Sequence, residues 1–286
     1  MTKDIWTVKR IIEWGRNYLQ EKNIDSPRLT MELLLCDVMN LQRIDLYLNH
    51  DKPLNQDELK LLRAYILRRA EREPVQYIIG HTEFYGHRFF VNPAVLIPRP
   101  ETELLVQYAA EFAKKIKGEN HTALDIGTGS GCIIISFAKM FPQWKCTAID
   151  ISDKALAIAE KNADALEIDT IAFHNADVFE RPPQKRYSII MSNPPYIAAN
   201  EMENLEPEIA KYEPKTALTD GDNGLSYYSY FATLFPKIIR PGGAFFCEIG
   251  FGQSEEIQKI FADKNIQTTI EKDYAGIPRI IWGIIN

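Results

Sequence analysis

An Asn-Pro-Pro-Tyr segment is the first feature of this sequence that could do chemistry. It comprises Asn193, Pro194, Pro195 and Tyr196, and it follows the apolar run 187–191. A strand must end here, because neither proline can donate a ladder hydrogen bond. Each residue that precedes a proline is restricted to extended geometry, so the loop is stiff. A fixed carboxamide, exposed carbonyls and a flat ring suit the binding of a planar NH2 group. The alternative interpretation is an ordinary proline-rich turn without a function.

A glycine-rich segment lies upstream, between the apolar run 123–126 and a predicted helix. Its residues are Gly127, Thr128, Gly129, Ser130 and Gly131. Glycines let the backbone approach a ligand closely. The dinucleotide fingerprint Gly-x-Gly-x-x-Gly would require glycine at position 132, which is Cys132. The spacing is instead Gly-x-Gly-x-Gly, with Asp125 two positions before the first glycine.

Two further carboxylates follow at the ends of the next predicted strands. Asp150 closes one strand, where a carboxylate can accept hydrogen bonds from both ribose hydroxyls. Asp177, followed by Val178, ends the next and can take a polar edge of a base, although a loop-starting turn residue is the alternative there. With Asp125, these carboxylates disfavour phosphate and suit a cationic nucleoside. We therefore expect S-adenosylmethionine as the cofactor, S-adenosylhomocysteine as its product, and no metal.

From residue 102 onward, predicted helices and strands alternate, which indicates a doubly wound α/β sheet. Helices are predicted at 104–116, 132–140, 155–166 and 227–239, and strands at 123–126, 146–150, 171–173, 188–191, 243–249, 267–271 and 279–285. The last two strands lie close together in sequence. They predict a final hairpin that adds one antiparallel strand at the edge of a parallel sheet.

The N-terminal part has a different pattern. Residues 4–72 show helical periodicity, with Ser26 as a predicted N-cap before Pro27 and a capping box between Asn55 and Glu58. Residues 74–100 are predicted to be extended, with strands at 77–79 and 89–91 on either side of a turn. The predicted organisation is a helical recognition domain at 1–73, a β-hairpin linker at 74–100 and a catalytic domain at 101–286.

Composition limits the function classes. The net charge is −6, and residues 1–75 hold 13 Lys and Arg against 12 Asp and Glu, which leaves −7 on the remainder. This charge disfavours a protein that wraps nucleic acid. A helical patch with Arg63, Arg68, Arg69 and Arg72 could meet an acidic partner or be a solvated face.

No run approaches a membrane span and the N-terminus has no apolar signal core, so a cytoplasmic protein is expected.

The four cysteines, Cys36, Cys132, Cys146 and Cys247, lack the paired spacing of a metal or redox site. Three of them sit in apolar runs, which favours buried reduced thiols. Nothing in the sequence suggests a dimer, and a monomer is expected.

Together, these motifs resemble those of the HemK/PrmC family of protein-(glutamine-N5) methyltransferases. The shared stretches are Ser26-Pro27-Arg28, 74–80, Phe84-Tyr85-Gly86, 96–103, 125–131, 193–196, Tyr212-Glu213-Pro214, 221–225 and Glu248-Ile249-Gly250. Within the shared segment 96–103, the stretch 97–103, Ile-Pro-Arg-Pro-Glu-Thr-Glu, is far more specific than Asn-Pro-Pro-Tyr, which also occurs in DNA adenine methyltransferases. Departures occur at Ile277-Pro278 and Thr30-Met31, where substrate fit could differ.

The resemblance implies a class I S-adenosylmethionine-dependent methyltransferase with a Rossmann-like seven-stranded sheet behind an N-terminal helical domain. It implies methylation of the Gln in the Gly-Gly-Gln loop of class 1 peptide chain release factors. Carried over, residues 127–131 line the methionine and ribose, Asp150 the ribose, and Asp177-Val178 the adenine. Residues 193–196 hold the substrate glutamine, and Asn193 also lies beside the cofactor.

An amide proton is too weakly acidic for a side chain to remove first, so no general base is expected. Instead, Asn193 Oδ1 and the Pro194 carbonyl would accept both amide protons while Tyr196 packs against the planar group. Three alternatives remain open. They are a ribosomal-protein glutamine methyltransferase, a nucleic-acid adenine N6-methyltransferase that flips its base, and a binding module that transfers no methyl group.

Overall fold

A computed structural model describes residues 5–286, which form two compact units. One unit comprises the described residues up to Gly80 together with Glu206–Tyr212, and the other comprises His81–Leu205 and Glu213–Asn286. The first four residues of the predicted domain 1–73 lie outside the described residues. A short return of the chain, residues 206–212, therefore belongs to the helical unit, which no sequence pattern indicated.

The helices and strands take the following bounds in chain order. They are α1 (Val8–Glu21), α2 (Pro27–Met39), α3 (Arg43–Leu48), α4 (Gln56–Ala70), α5 (Val75–Ile79), β1 (His81–Phe84), β2 (His87–Phe90), α6 (Thr102–Ala113), β3 (Thr122–Ile126), α7 (Cys132–Met140), β4 (Lys145–Asp150), α8 (Asp153–Ala165), β5 (Ile171–Asn175), β6 (Tyr187–Ser192), α9 (Pro207–Tyr212), α10 (Ser226–Ile238), β7 (Ile239–Glu248), α11 (Ser254–Ala262), β8 (Thr269–Lys272) and β9 (Pro278–Ile285).

The helical unit packs α1, α2, α4 and α5 around a small apolar core that includes Leu19, Leu34, Leu35 and Leu62. Glu32 of α2 is buried at 2% exposure, yet its carboxylate accepts hydrogen bonds from Arg28, Arg43 and Tyr47. A buried charge is tolerated only when it is paired in this way. All three donors come from α2 and α3, so they fasten the short α3 to its neighbour.

The two predicted helix starts in this unit differ in outcome. The capping box is confirmed, because Asn55 accepts from the Glu58 backbone at 2.9 Å and Glu58 accepts from the Asn55 backbone at 2.7 Å. The predicted side-chain cap at Ser26 is wrong. Ser26 takes a left-handed conformation, φ 47° and ψ 51°, and makes no side-chain capping bond. A capping hydroxyl requires an extended backbone, so Pro27 alone favours the helix start here.

Three of the four arginines in the predicted basic patch are paired within the helical unit. Glu208 of α9 accepts from Arg69 at 3.0 Å and from Arg72 at 3.3 Å. Arg68 makes a bidentate pair with Glu73. Most of the patch is therefore neutralised by the chain itself, and the Arg69 and Arg72 pairs hold the returning segment 206–212 on α4.

The region predicted as extended begins with a helix instead. Residues 77–79 lie in α5, a five-residue helix that is too short for a helical period to be recognised in the sequence, and a left-handed Gly80 ends it. The predicted turn is confirmed in the hairpin β1–β2, where Tyr85 and Gly86 have φ of 49° and 74°. Two positive φ values fit the twist of a tight hairpin. Phe84 and Phe89 bury its apolar face in the core of the sheet unit.

The large unit contains a seven-stranded sheet of order β5-β4-β3-β6-β7-β9-β8, which confirms the predicted α/β class. Strands β5, β4, β3, β6 and β7 are parallel. The antiparallel strand is β9, and it lies between β7 and β8 rather than at the edge. A hairpin can attach by either of its strands, and here the longer and more apolar one pairs with β7, where Ile280 packs into the core on one face and Ile281 into the core on the other.

Successive strand residues point to opposite faces of the sheet, and each face has its own core. Ala123, Ile189 and Phe246 pack with α6, α7 and the hairpin. Their neighbours Leu124, Ile190 and Phe245 pack with α10 and α11. Near-continuous apolar strands of this kind are expected where both faces of a parallel sheet are covered. The sequence did not predict α11.

No helix in residues 5–286 combines the length and the apolar character that crossing a membrane requires.

One buried amide joins the hairpin to the glycine-rich loop. Asn162 of α8 is 0% exposed, accepts from the Phe90 backbone N–H at 2.6 Å, and donates to the carbonyls of Phe90 at 3.0 Å and Ser130 at 2.9 Å. The side chain thereby completes the backbone hydrogen bonding of two segments that would otherwise be buried without partners.

We predict that Asn162→Ala lowers the free energy of unfolding by about 3 kcal/mol or more, because three buried backbone groups lose their partner. Urea denaturation at neutral pH measures this change. Asn175→Ala is the matched control, since Asn175 is exposed and donates one bond, to the Ile151 carbonyl. The control should change stability by about 0.5 kcal/mol or less. Equal effects of the two substitutions would contradict the assigned role of Asn162.

Candidate active site

A cleft of about 380 Å³ opens at the carboxyl ends of the parallel strands. Ligands bind in this position in open α/β sheets. The predicted site residues that line it are Gly127, Thr128, Gly129, Ser130, Asp150, Asp177, Val178, Asn193, Pro194 and Pro195. The structure therefore brings both predicted motifs into one cleft. Gly131 and Tyr196 are not among the lining residues.

Strand register explains why the two motifs meet. Ile126 of β3 is paired with Ser192 of β6, so the glycine-rich loop and the Asn-Pro-Pro segment leave the sheet side by side. The Ser192 hydroxyl also donates to the Ile126 carbonyl at 2.7 Å. This bond lies at the last ladder position of both strands and holds their ends together.

The glycine loop uses its glycines for two purposes. Gly127 and Gly129 have φ of 73° and 55°, and no protein atom lies within 4 Å of where a Cβ would be, so both face open space in the cleft. Gly131 has φ 80°, and a Cβ there would lie 2.7 Å from Ile135 and 3.1 Å from the Ala159 side chain. Gly131 therefore allows close packing against α8, and its predicted contact with the cofactor stays a prediction.

Asp125 lies behind the loop and is 0% exposed. The Thr128 hydroxyl donates to its Oδ2 at 2.7 Å, which ties the loop back to the strand. Burial, with a smaller contribution from the charge of Asp150, raises the pKa of Asp125 to about 7, and the Thr128 bond opposes this rise.

Asp150 presents a preorganised carboxylate at the end of β4. Its Oδ2 accepts from the Gly129 backbone N–H at 2.9 Å, and its Oδ1 accepts from the Ser152 backbone N–H at 2.9 Å. Burial raises the pKa of Asp150, while these two backbone bonds oppose the rise. Each oxygen keeps a further lone pair, so the group can still accept from a pair of vicinal hydroxyls.

Asp177 and Val178 lie beside aromatic side chains that the sequence did not single out. Phe179 packs against Tyr227 at 4.8 Å between ring centroids, and both line the cleft. Asp177 Oδ1 accepts from the Phe179 backbone at 2.8 Å. Tyr227 comes from α10, some fifty positions further along the chain, so no local pattern connects it to this pocket.

The Asn-Pro-Pro-Tyr segment is held from behind by a buried polar network. Asn193 Nδ2 lies 3.4 Å from Thr102 Oγ1, and the Thr102 hydroxyl donates to Glu248 Oε2 at 2.6 Å. The Tyr196 hydroxyl donates to Glu248 Oε1 at 3.1 Å. Burial raises the pKa of Tyr196 far above its ordinary value, so Tyr196 remains a neutral donor. Its predicted packing on a planar ligand stays a prediction.

The segment 96–103 fastens three separate parts of the sheet unit. Arg99 pairs with the buried Glu213, Thr102 bonds Glu248, and Glu103 accepts from the Tyr85 backbone at 2.7 Å. Arg99 and Thr102 also line the cleft. The resemblance marked this segment as specific, and that was the available signal. Its partners Glu213 and Glu248 lie more than one hundred positions away.

The charges along the cleft fit a cationic nucleoside. Among the described residues that line it, three are aspartates (Asp150, Asp177 and Asp220), and the single basic one, Arg99, is paired with Glu213. Phosphate would meet repulsion here, whereas a sulfonium and an ammonium group would be attracted. The open space at Gly127 and Gly129 leaves room for the chain of such a ligand. The residues present therefore fit S-adenosylmethionine.

The described part of the chain contains no group of three or more His, Cys, Asp or Glu side chains that could hold a metal ion. Its four cysteines are unpaired thiols, three of them buried.

We predict that Asp125→Asn changes how stability depends on pH in the cofactor-free protein. Between about pH 4 and pH 7 the unfolded carboxyl has lost its proton while the folded one keeps it, so folding takes up a proton and wild-type stability falls as pH rises. Asparagine lacks this fall. Relative to wild type, the variant should gain about 2–4 kcal/mol between pH 4 and pH 8, measured by urea denaturation. Parallel stability profiles would contradict the assignment.

Comparison with known proteins assigns the family. Models described as the PrmC N-terminal domain and the methyltransferase small domain match residues 10–80 and 101–220. A methyltransferase structure from Pyrococcus furiosus matches 78% of this chain and 96% of its own at 15% identity and a TM-score of 0.50, which concerns the fold alone. The class I methyltransferase fold expected from the sequence is confirmed.

Curated relatives match over nearly the full length. A release factor glutamine methyltransferase of Geobacter sulfurreducens is 40% identical over 99% of this chain and 98% of its own. One of Chlorobaculum tepidum is 37% identical over 96% of each. With this identity over both of its units, the chain belongs to the release factor glutamine methyltransferase family.

Proposed function

We propose that this protein transfers a methyl group from S-adenosylmethionine to the side-chain amide N5 of the glutamine in the Gly-Gly-Gln motif of class 1 peptide chain release factors. The observation that carries the proposal is the shared cleft, in which Asn193 and Pro194 lie beside the glycine-rich loop and Asp150. The names of the relatives in this family support the substrate. Such a reaction belongs to translation termination and would take place in the cytoplasm.

The cofactor would be held by the groups that line the inner part of the cleft. Gly127 to Ser130 would follow its methionine part, Asp150 would accept from the ribose hydroxyls, and Asp177 with Val178 would meet the adenine. Phe179 and Tyr227 add an aromatic wall on the adenine side. When bound, S-adenosylmethionine supplies an electrophilic methyl group on a positively charged sulfur.

The substrate amide needs orientation and charge stabilisation rather than a base. Its nitrogen lone pair is delocalised into the carbonyl and its protons are too weakly acidic for removal beforehand. Asn193 Oδ1 and the Pro194 carbonyl would accept both N–H groups and so aim the nitrogen into the cleft. The nitrogen would take the methyl group as the C–S bond breaks and S-adenosylhomocysteine leaves, and the two fixed oxygens would stabilise the positive charge that develops on the nitrogen. The nitrogen then loses its extra proton to water.

The helical unit would help to hold the protein substrate. Its polar groups include paired arginines and the buried Glu32 cluster, and nothing among its described residues forms a catalytic constellation. The match to a PrmC N-terminal domain over residues 10–80 supports a recognition role. The boundaries 1–73, 74–100 and 101–286 remain part of this proposal.

The first experiment tests the substrate directly. Purified protein is incubated with methyl-labelled S-adenosylmethionine and a bacterial class 1 release factor, either intact or with the Gln of its Gly-Gly-Gln motif replaced by Asn. We expect label on the intact factor only. Label on both would place the methyl group elsewhere. Absence of label on either, together with label on a ribosomal protein or on an adenine-containing oligonucleotide, would replace the proposed substrate with that one.

The second experiment separates the two parts of the cleft. Asn193→Ala should lower kcat by about 100-fold or more while the Kd of S-adenosylhomocysteine changes little, because the lost contact is to the substrate amide. Asp150→Ala should act mainly on cofactor binding. It should weaken S-adenosylhomocysteine binding by about tenfold or more, because it removes a charged acceptor. Steady-state kinetics and calorimetry provide the two readouts. Equal losses of turnover and cofactor binding in Asn193→Ala would count against its assignment.

A further inference from the structure

The amide of Asn193 can face the cleft in two ways, and only one is useful for the proposed reaction. If Oδ1 points outward, it accepts from a substrate NH2 group. If Nδ2 points outward, two donors face each other and the substrate amide is repelled. A carboxamide has no intrinsic preference between the two, so a neighbouring group must select one.

Thr102 lies at hydrogen-bond distance from the Asn193 amide. The direction of its single hydroxyl proton determines which end of the amide faces it. The Thr102 hydroxyl lies 2.6 Å from Glu248 Oε2, a separation typical of an O–H donated to a carboxylate. With its proton committed there, Thr102 Oγ1 can only accept from Asn193. Asn193 must then turn Nδ2 toward Thr102, at 3.4 Å, and Oδ1 away from it.

We infer that Glu248, acting through Thr102, is a positioning residue that selects the productive orientation of the Asn193 amide. The inference rests on the proposed function, since the orientation matters for a substrate NH2 group. It gives a role to two conspicuous stretches of the sequence, 96–103 and Glu248-Ile249-Gly250, that the proposed function leaves without one.

Glu248 is itself fixed as an acceptor at both oxygens. It is 2% exposed at the end of β7, and Oε1 accepts from the Tyr196 hydroxyl at 3.1 Å. An ionised carboxylate can accept from one hydroxyl at each of its two oxygens, whereas a protonated carboxyl would turn one of the two oxygens into a donor. Burial raises the pKa of Glu248, and the bonds from Thr102 and Tyr196 together with the charge of Arg279 oppose this.

The isosteric substitution Glu248→Gln tests whether the network needs an acceptor at both oxygens of residue 248. A glutamine has one accepting oxygen for two incoming hydroxyls. If its NH2 group faces Thr102, the hydroxyl proton of Thr102 turns toward Asn193 and the carboxamide flips. If it faces Tyr196, the Tyr196 hydroxyl loses its acceptor and the segment that carries Asn193 loses an anchor. Either arrangement disturbs Asn193 without any change in side-chain volume.

The test uses the full-length protein and compares Thr102→Val, Thr102→Ser and Glu248→Gln. Valine keeps the shape of threonine without the hydroxyl, whereas serine keeps the hydroxyl. We expect Thr102→Val and Glu248→Gln to lower kcat on the release factor by about tenfold or more, with the Kd of S-adenosylhomocysteine within about twofold of wild type. Thr102→Ser should retain kcat within a few-fold of wild type.

Tyr228→Phe is the matched structural control. It removes a buried hydroxyl bonded to the same glutamate, at the backbone rather than the carboxylate, and it lies outside the network. We expect its kcat to stay near the wild-type value even if its thermal stability falls. Thr102→Val as active as Thr102→Ser, or Tyr228→Phe as impaired as Glu248→Gln, would overturn the inference. If Thr102→Val does not fold, Glu248→Gln against Tyr228→Phe decides the question.

A readout independent of turnover keeps the inference separate from the proposed function. In 15N spectra, hydrogen exchange of the Asn193 side-chain NH2 should be slowed in wild type and in Thr102→Ser, and should be faster in Thr102→Val because Oγ1 no longer accepts from it. Unchanged exchange in Thr102→Val would overturn the inference whatever the substrate is. A wild-type protein that fails to label any release factor, but shows this exchange pattern, would refute the proposed substrate alone.

Discussion

Strand β6 has to end at Ser192, because Asn193 is followed by two prolines that cannot continue a ladder, and the cleft depends on that ending. The neighbouring strand β3 ends at Ile126, opposite Ser192 in the register. Two loops from distant parts of the chain therefore leave the sheet at one point. Because β6 ends there, Asn193, Pro194 and Pro195 line the cleft beside the glycine-rich loop.

Placing function at this edge requires buried carboxylates, and each of them is stabilised locally. Asp125 accepts from Thr128, Asp150 from two backbone N–H groups, and Glu248 from two hydroxyls. A buried polar group without a hydrogen-bond partner would cost several kcal/mol, so these bonds are a condition for burying the three carboxyl groups. The same bonds fix the directions of the side chains. The same contacts therefore stabilise the buried carboxyl groups and hold their side chains in fixed positions.

The segment 96–103 contacts three separate parts of the sheet unit. It contributes Arg99 and Thr102 to the cleft, and Glu103 holds the turn of the hairpin β1–β2. Of its partners, Glu213 follows β6 in the chain and Glu248 is the last residue of β7. The segment therefore has a task in the structure although the proposed reaction assigns it no reacting group. It arranges the groups that do the chemistry rather than doing it itself.

The sequence by itself determined the α/β class, the helical N-terminal region, the hairpin turn at Tyr85-Gly86 and the two motifs of the cleft. These features depend on local properties: apolar periodicity, proline and glycine geometry, and carboxylates at strand ends. The prediction for the short helix α5 was wrong, because five residues carry no clear helical period. The predicted cap at Ser26 was also wrong, because the Ser26 backbone takes a left-handed conformation.

Only the tertiary structure decided which distant groups meet. It placed β9 between β7 and β8, paired Arg69 and Arg72 with Glu208, turned Gly131 toward α8 and brought Glu248 to Thr102 across 146 positions. Tyr227 joined the cleft from α10 in the same way. Residue type limits what a side chain can donate or accept, but its partner is set by packing between elements far apart in the chain, which no local pattern encodes.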